Sequence, residues 1–190
     1  MKTILYIHGF NSAGTSAKAE TIRSQYRDCK VLTPTLNYKD FPATLKLISN
    51  TIMTGKVDVV VGTSLGAFFA LYGAWKFKKK CVAINPTVSP SATLQHAIGE
   101  NRNYVTKERY ILQEQDLRKY AEFEKKEFSK VVPVDADTIF LLSEEDEMLG
   151  DHHYLEQRFP SCSNFQYFPG VNHQFSAQRP IFAAIDDLLK

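Results

Sequence analysis

Cysteine is scarce: Cys29, Cys81 and Cys162 are the only three in 190 residues, an odd number at wide spacing that matches no metal-binding arrangement. Two of them fall inside expected strands, so reduced core thiols and a cytoplasmic location follow. Long apolar runs are missing too, and nothing approaches the roughly 18 residues needed to span a bilayer. The opening stretch, residues 1–7, has one positive charge and too few apolar residues for a secretory signal, and it reads as a first strand. Neither sign of charge dominates, with 23 Lys and Arg against 21 Asp and Glu. A net charge of +2 supplies no field for phosphate backbones or anionic membranes, which excludes generic nucleic-acid binding. What is present is 44% apolar and only 23% charged residues, the balance of a globular chain. The length suits a single domain, 1–190.

Six short apolar runs rich in β-branched residues recur at 3–7, 30–33, 57–61, 81–84, 138–142 and 165–168. Several are unbroken Val, Ile and Leu blocks, the mark of parallel strands buried on both faces. Between them lie helical patterns, Phe41, Leu45, Ile48 and Ile52 on one face and Ile181, Ile185 and Leu188 on another. The alternation predicts a doubly wound, six-stranded, mainly parallel α/β sheet. Residues 87–136 break the rhythm, because a plain crossover needs far fewer. Within them Tyr110, Leu112, Leu117, Tyr120, Phe123 and Phe128 form a narrow apolar stripe among charges, which predicts one or two solvated helices. They read either as a peripheral cover or as a lid that limits substrate size. There is no internal repeat and no low-complexity tract.

The third run is followed by Gly62-Thr63-Ser64-Leu65-Gly66 and then by an apolar helical pattern. Three fixed positions recur by chance in about 0.06 of chains this long, so the context of strand, G-x-S-x-G and helix carries the weight. A nucleophile lifted on a tight strand-to-helix turn needs small neighbours, because side chains there would strike the backbone. At the helix N-terminus, the Leu65 N–H can face a developing oxyanion. The first run ends in His8-Gly9-Phe10-Asn11-Ser12, at the sheet edge where open α/β folds bind ligands. Phe10 N–H is the candidate second oxyanion donor, with His8 and Asn11 shaping the turn and Gly9 allowing close approach. A rival reading makes His8 the base.

A serine needs a base within hydrogen-bond reach, and that base needs a carboxylate. The fifth run leads to Glu144-Glu145-Asp146-Glu147 and the sixth to Gly170-Val171-Asn172-His173, both at the same sheet edge, with Gly170 letting the second loop bend. Ser64, Asp146 and His173 therefore form the candidate catalytic set, with Glu145 as the alternative acid. Their order along the chain is nucleophile, acid, histidine. His96, His152 and His153 have no matching strand-end context and are expected at the surface. Asn11 and Phe68 are candidate substrate-pocket residues.

On the opening Leu5-Tyr6-Ile7-His8-Gly9-Phe10-Asn11-Ser12, the elbow at Ser64, Asn85-Pro86 and Asn172-His173, the chain resembles the α/β-hydrolase superfamily in a compact form. Within it, the chain is similar to the small bacterial YqiA/YcfP esterase family. The resemblance implies strand order 2-1-3-4-5-6 and an ester- or thioester-cleaving serine enzyme. Ser64, His173 and Asp146 would then be nucleophile, base and acid, and Phe10 and Leu65 the oxyanion hole. It also places the 87–136 insertion where such enzymes carry a lid. No metal or organic cofactor is implied, and the expected partner is a small-molecule acyl ester of short to medium chain. Acyl-CoA thioesters come next, then a non-catalytic binding protein on the same scaffold, and last a small serine peptidase.

Overall fold

Strands and helices alternate along the computed structural model, which describes residues 1–190. In chain order, β1 (Thr3–Ile7), α1 (Ala17–Gln25), β2 (Lys30–Leu32), α2 (Phe41–Thr54), β3 (Val59–Thr63), α3 (Leu65–Phe77) and β4 (Lys80–Ile84) form the first half. The insertion then supplies α4 (Pro90–Thr93), β5 (Gly99–Arg102), β6 (Arg109–Leu112) and α5 (Glu114–Lys126). β7 (Thr138–Glu145), α6 (Tyr154–Arg158), β8 (Phe165–Asn172) and α7 (Gln178–Leu189) close the chain. Six strands form one sheet in the order β2-β1-β3-β4-β7-β8, every neighbouring pair parallel. This is the class read from the alternating pattern and the order that the family resemblance implies.

Pleating explains the unbroken apolar runs, since alternate residues serve opposite faces. Ile4, Tyr6, Val59 and Val61 pack with Ile22 of α1 and with Ile181 and Ile185 of α7. Leu5, Ile7 and Val60 face the other way, toward Ile48 and Ile52 of α2 and Phe68, Phe69 and Leu71 of α3. Because α3 is apolar nearly all round, it lies buried between the sheet and the insertion.

The insertion departs from expectation in kind. Tyr110 and Leu112 lie on β6, paired antiparallel with β5 in a two-stranded ribbon, and not on a helix. Only α5 is a long helix there, carrying Leu117, Tyr120 and Phe123 inward while Arg118 and Glu122 face water. Tyr120 is wholly buried, 4.6 Å from the Phe41 ring, and its hydroxyl donates to Tyr38 O at 2.7 Å. One face of the insertion is thus continuous with the larger core.

β7 and β8 run beyond their apolar blocks to Glu145 and Asn172, because these ends pair with each other across a register shift between Ser143 and Glu145. β3 starts and ends two residues later than the Val57 block suggested. Of the cysteines, all free, only Cys81 lies in a strand; Cys29 and Cys162 sit in loops. No helix is long and apolar enough to cross a membrane.

Candidate active site

β3 ends at the turn that presents Ser64, whose backbone adopts φ 54° and ψ −120°. A non-glycine residue held there is strained and persists only where its surroundings over-determine it. Here Ser64 N–H donates to Ile84 O at 2.8 Å, and the flanking glycines leave no room for relaxation. A Cβ on Gly62 would come within 2.5 Å of Gly66 O, and one on Gly66 within 2.2 Å of Ile7 O. The turn therefore packs against β1 and leaves Ser64 partly exposed at the carboxyl edge of the sheet.

β8 bends at Gly170, where φ is +71°, and delivers His173 to that edge. His173 Nε2 lies 3.0 Å from Ser64 Oγ, and His173 Nδ1 lies 2.9 and 2.8 Å from the two carboxylate oxygens of Asp146. The Asp146 side chain is fully buried. Met148 and Leu149 N–H also donate to its Oδ1, at 2.9 and 2.8 Å. Burial alone would push this carboxyl up. The hydrogen bonds from His152, His173 and Leu149 outweigh it and hold Asp146 well below the usual carboxylate range. Asp146 is thus an ionised acceptor for either ring. Glu144 and Glu145 are exposed.

Three residues beyond the expected set hold this frame. Glu147 Oε2 accepts the His173 backbone N–H at 3.0 Å. Asn85, wholly buried, donates from Nδ2 to Ser143 Oγ and His173 O and accepts Ser143 N–H, while Ser143 Oγ donates to Asn172 O. The ends of β4, β7 and β8 are thereby tied into one unit. Asn85 was legible only through the family likeness, because an isolated Asn-Pro gives no other signal.

At the β1 turn, His8 is buried and both ring nitrogens face backbone partners: Nδ1 is 2.8 Å from Gly9 O, and Nε2 accepts Leu36 N–H at 3.0 Å. That leaves neither nitrogen free to serve as a base. Phe10 and Leu65 N–H donate to no acceptor within the chain. Gly9 differs from expectation, since a Cβ there would meet ordinary contacts at 3.4 and 3.5 Å; the close approach belongs to Gly66.

Ser64 and His173 open onto a cavity of about 870 Å³. On the insertion side, Phe10, Leu94, Ala97 and Ile98 line it, and on the α1 and α7 side Thr21 and Phe182. Asn11 also lines it. Phe68 does not: it is fully buried and stacks on Phe128 with ring centroids 4.2 Å apart, an anchor of the core instead of a pocket wall. His96 is exposed at the cavity rim, and His153 is exposed. His152 corrects the sequence reading most sharply. Expected at the surface, its side chain is fully buried, with Nε2 2.8 Å from Asp146 Oδ2.

A family model described as Uncharacterised protein family (UPF0227) matches residues 3–190. Among solved structures, the chain is similar to Est1E from Butyrivibrio proteoclasticus, with a TM-score of 0.73 and 13% identity over 100% of this chain and 89% of that one. It is also similar to Paleococcus ferrophilus monoacylglycerol lipase, with a TM-score of 0.68 and 12% identity over 98% and 93%. A third likeness is to the esterase domain of a Rhodothermus marinus protein, with a TM-score of 0.62 and 19% identity over 99% and 84%. At such identities these likenesses establish the fold, that of the α/β-hydrolases.

Proposed function

The chain belongs to the Uncharacterised protein family (UPF0227), and from its α/β-hydrolase fold and the Ser64–His173–Asp146 relay we propose that it is a serine hydrolase of carboxylic esters. The observation that carries this reading is the 3.0 Å separation of His173 Nε2 and Ser64 Oγ, with Nδ1 of the same ring on Asp146. Ionised Asp146 fixes the tautomer in which Nδ1 holds the proton, so Nε2 is free to accept one.

Ser64 Oγ attacks the acyl carbonyl while His173 Nε2 takes its proton. The oxyanion forms against Phe10 and Leu65 N–H, aided by the N-terminus of α3. Collapse breaks the bond to the leaving alkoxide, which receives the proton from His173 Nε2–H, and the acyl group stays on Ser64. Water then attacks, His173 again takes and returns a proton, and the carboxylic acid departs. The substrate is a short-to-medium acyl ester, consistent with a mixed cavity of about 870 Å³ beside Ser64. No step calls for a metal or organic cofactor.

The test is hydrolysis of p-nitrophenyl esters from C2 to C16, with acyl-CoA substrates alongside, by the wild type and by Ser64→Ala. The expected result is Ser64-dependent ester turnover, with covalent labelling of Ser64 by a fluorophosphonate. Turnover unchanged in Ser64→Ala overturns the assignment, and preference for acyl-CoA moves it to a thioesterase. A folded wild type that neither turns over nor labels is a binding protein on this scaffold.

A further inference from the structure

The relay leaves one buried titratable side chain unused. His152 sits in the loop before α6, its side chain fully buried, and its Nε2 is 2.8 Å from Oδ2 of Asp146, the oxygen that also lies 2.8 Å from His173 Nδ1. One carboxylate is thus gripped by two imidazoles. The tautomer of the second ring follows from its partners. Asp146 is ionised and can only accept, so a bare Nε2 would face it lone pair to lone pair. A proton on Nδ1 would also be stranded, because Nδ1 is buried with no hydrogen-bond partner in the chain. Orphaned buried donors are rarer and costlier than under-used acceptors. The proton is therefore on Nε2, and His152 is a fixed donor to Asp146.

Its backbone is anchored independently, since His152 O accepts Leu155 N–H at 2.9 Å as α6 begins. The donor direction is set by the fold and not by the site. The Met148 and Leu149 amides hold only Oδ1. Without His152 the carboxylate could pivot about that pair of bonds, and Oδ2 would lose its second tether.

We propose that His152 is a positioning residue: its Nε2–H locks the Asp146 carboxylate in the plane that meets His173 Nδ1–H, which in turn aims Nε2 at Ser64. This deepens the serine-hydrolase reading and rests on it for its kinetic consequence. The geometric claim about Asp146 stands apart from turnover.

The experiment compares His152→Leu and His152→Gln with the wild type, by ester kinetics and by NMR of protein carrying 15N-labelled histidine. In the leucine variant kcat should fall roughly 10- to 100-fold with KM within about twofold, the scale on which outer partners of working histidines act. Glutamine, whose amide nitrogen can stand in for Nε2, should restore most of kcat. In the wild-type spectrum at neutral pH, His152 should carry its proton on Nε2. The low-field Nδ1–H signal of His173 should be present in the wild type and glutamine variant and shifted or lost in the leucine variant. Wild-type kcat in His152→Leu overturns the proposal. So does an equal kcat loss in both folded variants, which marks a packing role. Should the leucine variant not fold, the wild-type tautomer and the glutamine variant decide; a proton on His152 Nδ1 is fatal. A wild type without ester turnover defeats the hydrolase reading alone, and the two NMR observations still decide this one.

Discussion

The Tyr110 hydroxyl donates to Asn11 Oδ1 at 2.5 Å, so a strand of the insertion holds the turn that carries the Phe10 N–H. Asn11 has φ 55°, a left-handed backbone that Asn tolerates better than most residues and that outside hydrogen bonds fix further. The support is broad: Tyr104 N–H donates to Asn11 O, Asn103 Nδ2 to Ser12 O, and Asn11 Nδ2 to Asn101 Oδ1. A lid that swung clear would break all four bonds, so the ribbon is better placed to brace the proposed oxyanion turn than to uncover it. Tyr110→Phe should lower kcat about 3- to 10-fold, the effect of one hydrogen bond worth about 0.5–1.5 kcal/mol, with KM nearly unchanged. Steady-state kinetics on a single p-nitrophenyl ester check this, and a loss confined to KM would assign the contact to substrate binding.

Gly66 and Gly9 make a paired test of the elbow. Alanine at Gly66 drives a Cβ against Ile7 O and His8 O, both backbone atoms that cannot give without moving β1. Alanine at Gly9 meets Thr63 O at 3.4 Å and Ser64 Cβ at 3.5 Å, which is ordinary contact. Thermal unfolding should show a Tm lower by several degrees for Gly66→Ala, as overpacking costs about 1–3 kcal/mol, and almost no change for Gly9→Ala.

The sheet was legible because its central strands, β1, β3, β4 and β7, bury both faces and so announce themselves as apolar blocks. The elbow was legible for a different reason, since both its glycines sit where a Cβ would strike backbone, Gly62 against Gly66 and Ala67 within the turn and Gly66 against Ile7 and His8 of the first strand's end. The ribbon was not: Tyr110 and Leu112 sit two apart, and in so short a run strand spacing blends into the helical stripe that continues through Leu117 and Tyr120. His152 was hidden for a third reason. Its burial depends on the loop between β7 and α6 turning back to set the His152 ring on Asp146, a tertiary event with no local signature, and its neighbour His153 is exposed. Phe68 misled in the reverse direction, because an aromatic one helical turn beyond the proposed nucleophile Ser64 suits a pocket and a core equally well.

Asp146 should leave its mark on acid stability. Its folded pKa is depressed, so its stabilising contribution is complete above the unfolded carboxyl value of about 3.9 and is lost as pH falls from there toward the folded value. Asp146→Asn removes that contribution at every pH. Urea midpoints at pH 7, 5 and 3 should therefore show the same wild-type advantage at pH 7 and 5 and a smaller one at pH 3. A gap independent of pH would mean that the carboxylate is not the group gaining from these hydrogen bonds.

The cavity extends to both sides of Ser64, and substitution can decide which side receives the acyl chain. Ala97 lines the insertion side and Thr21 the α1 side. Each methylene moved from water into an apolar wall gains about 0.8 kcal/mol, roughly fourfold in kcat/KM, until the chain meets the end of the cavity. Leu94, Ala97 and Ile98 on the insertion side form a continuous apolar strip, and we assign the acyl chain to it. Ala97→Trp should therefore shift the p-nitrophenyl ester optimum to shorter chains and leave acetate turnover nearly intact. Thr21→Trp should lower kcat/KM by a similar factor along the whole series, because it crowds the leaving group. Exchanged profiles for the two variants would place the acyl chain against α1 and turn the insertion side over to the alcohol.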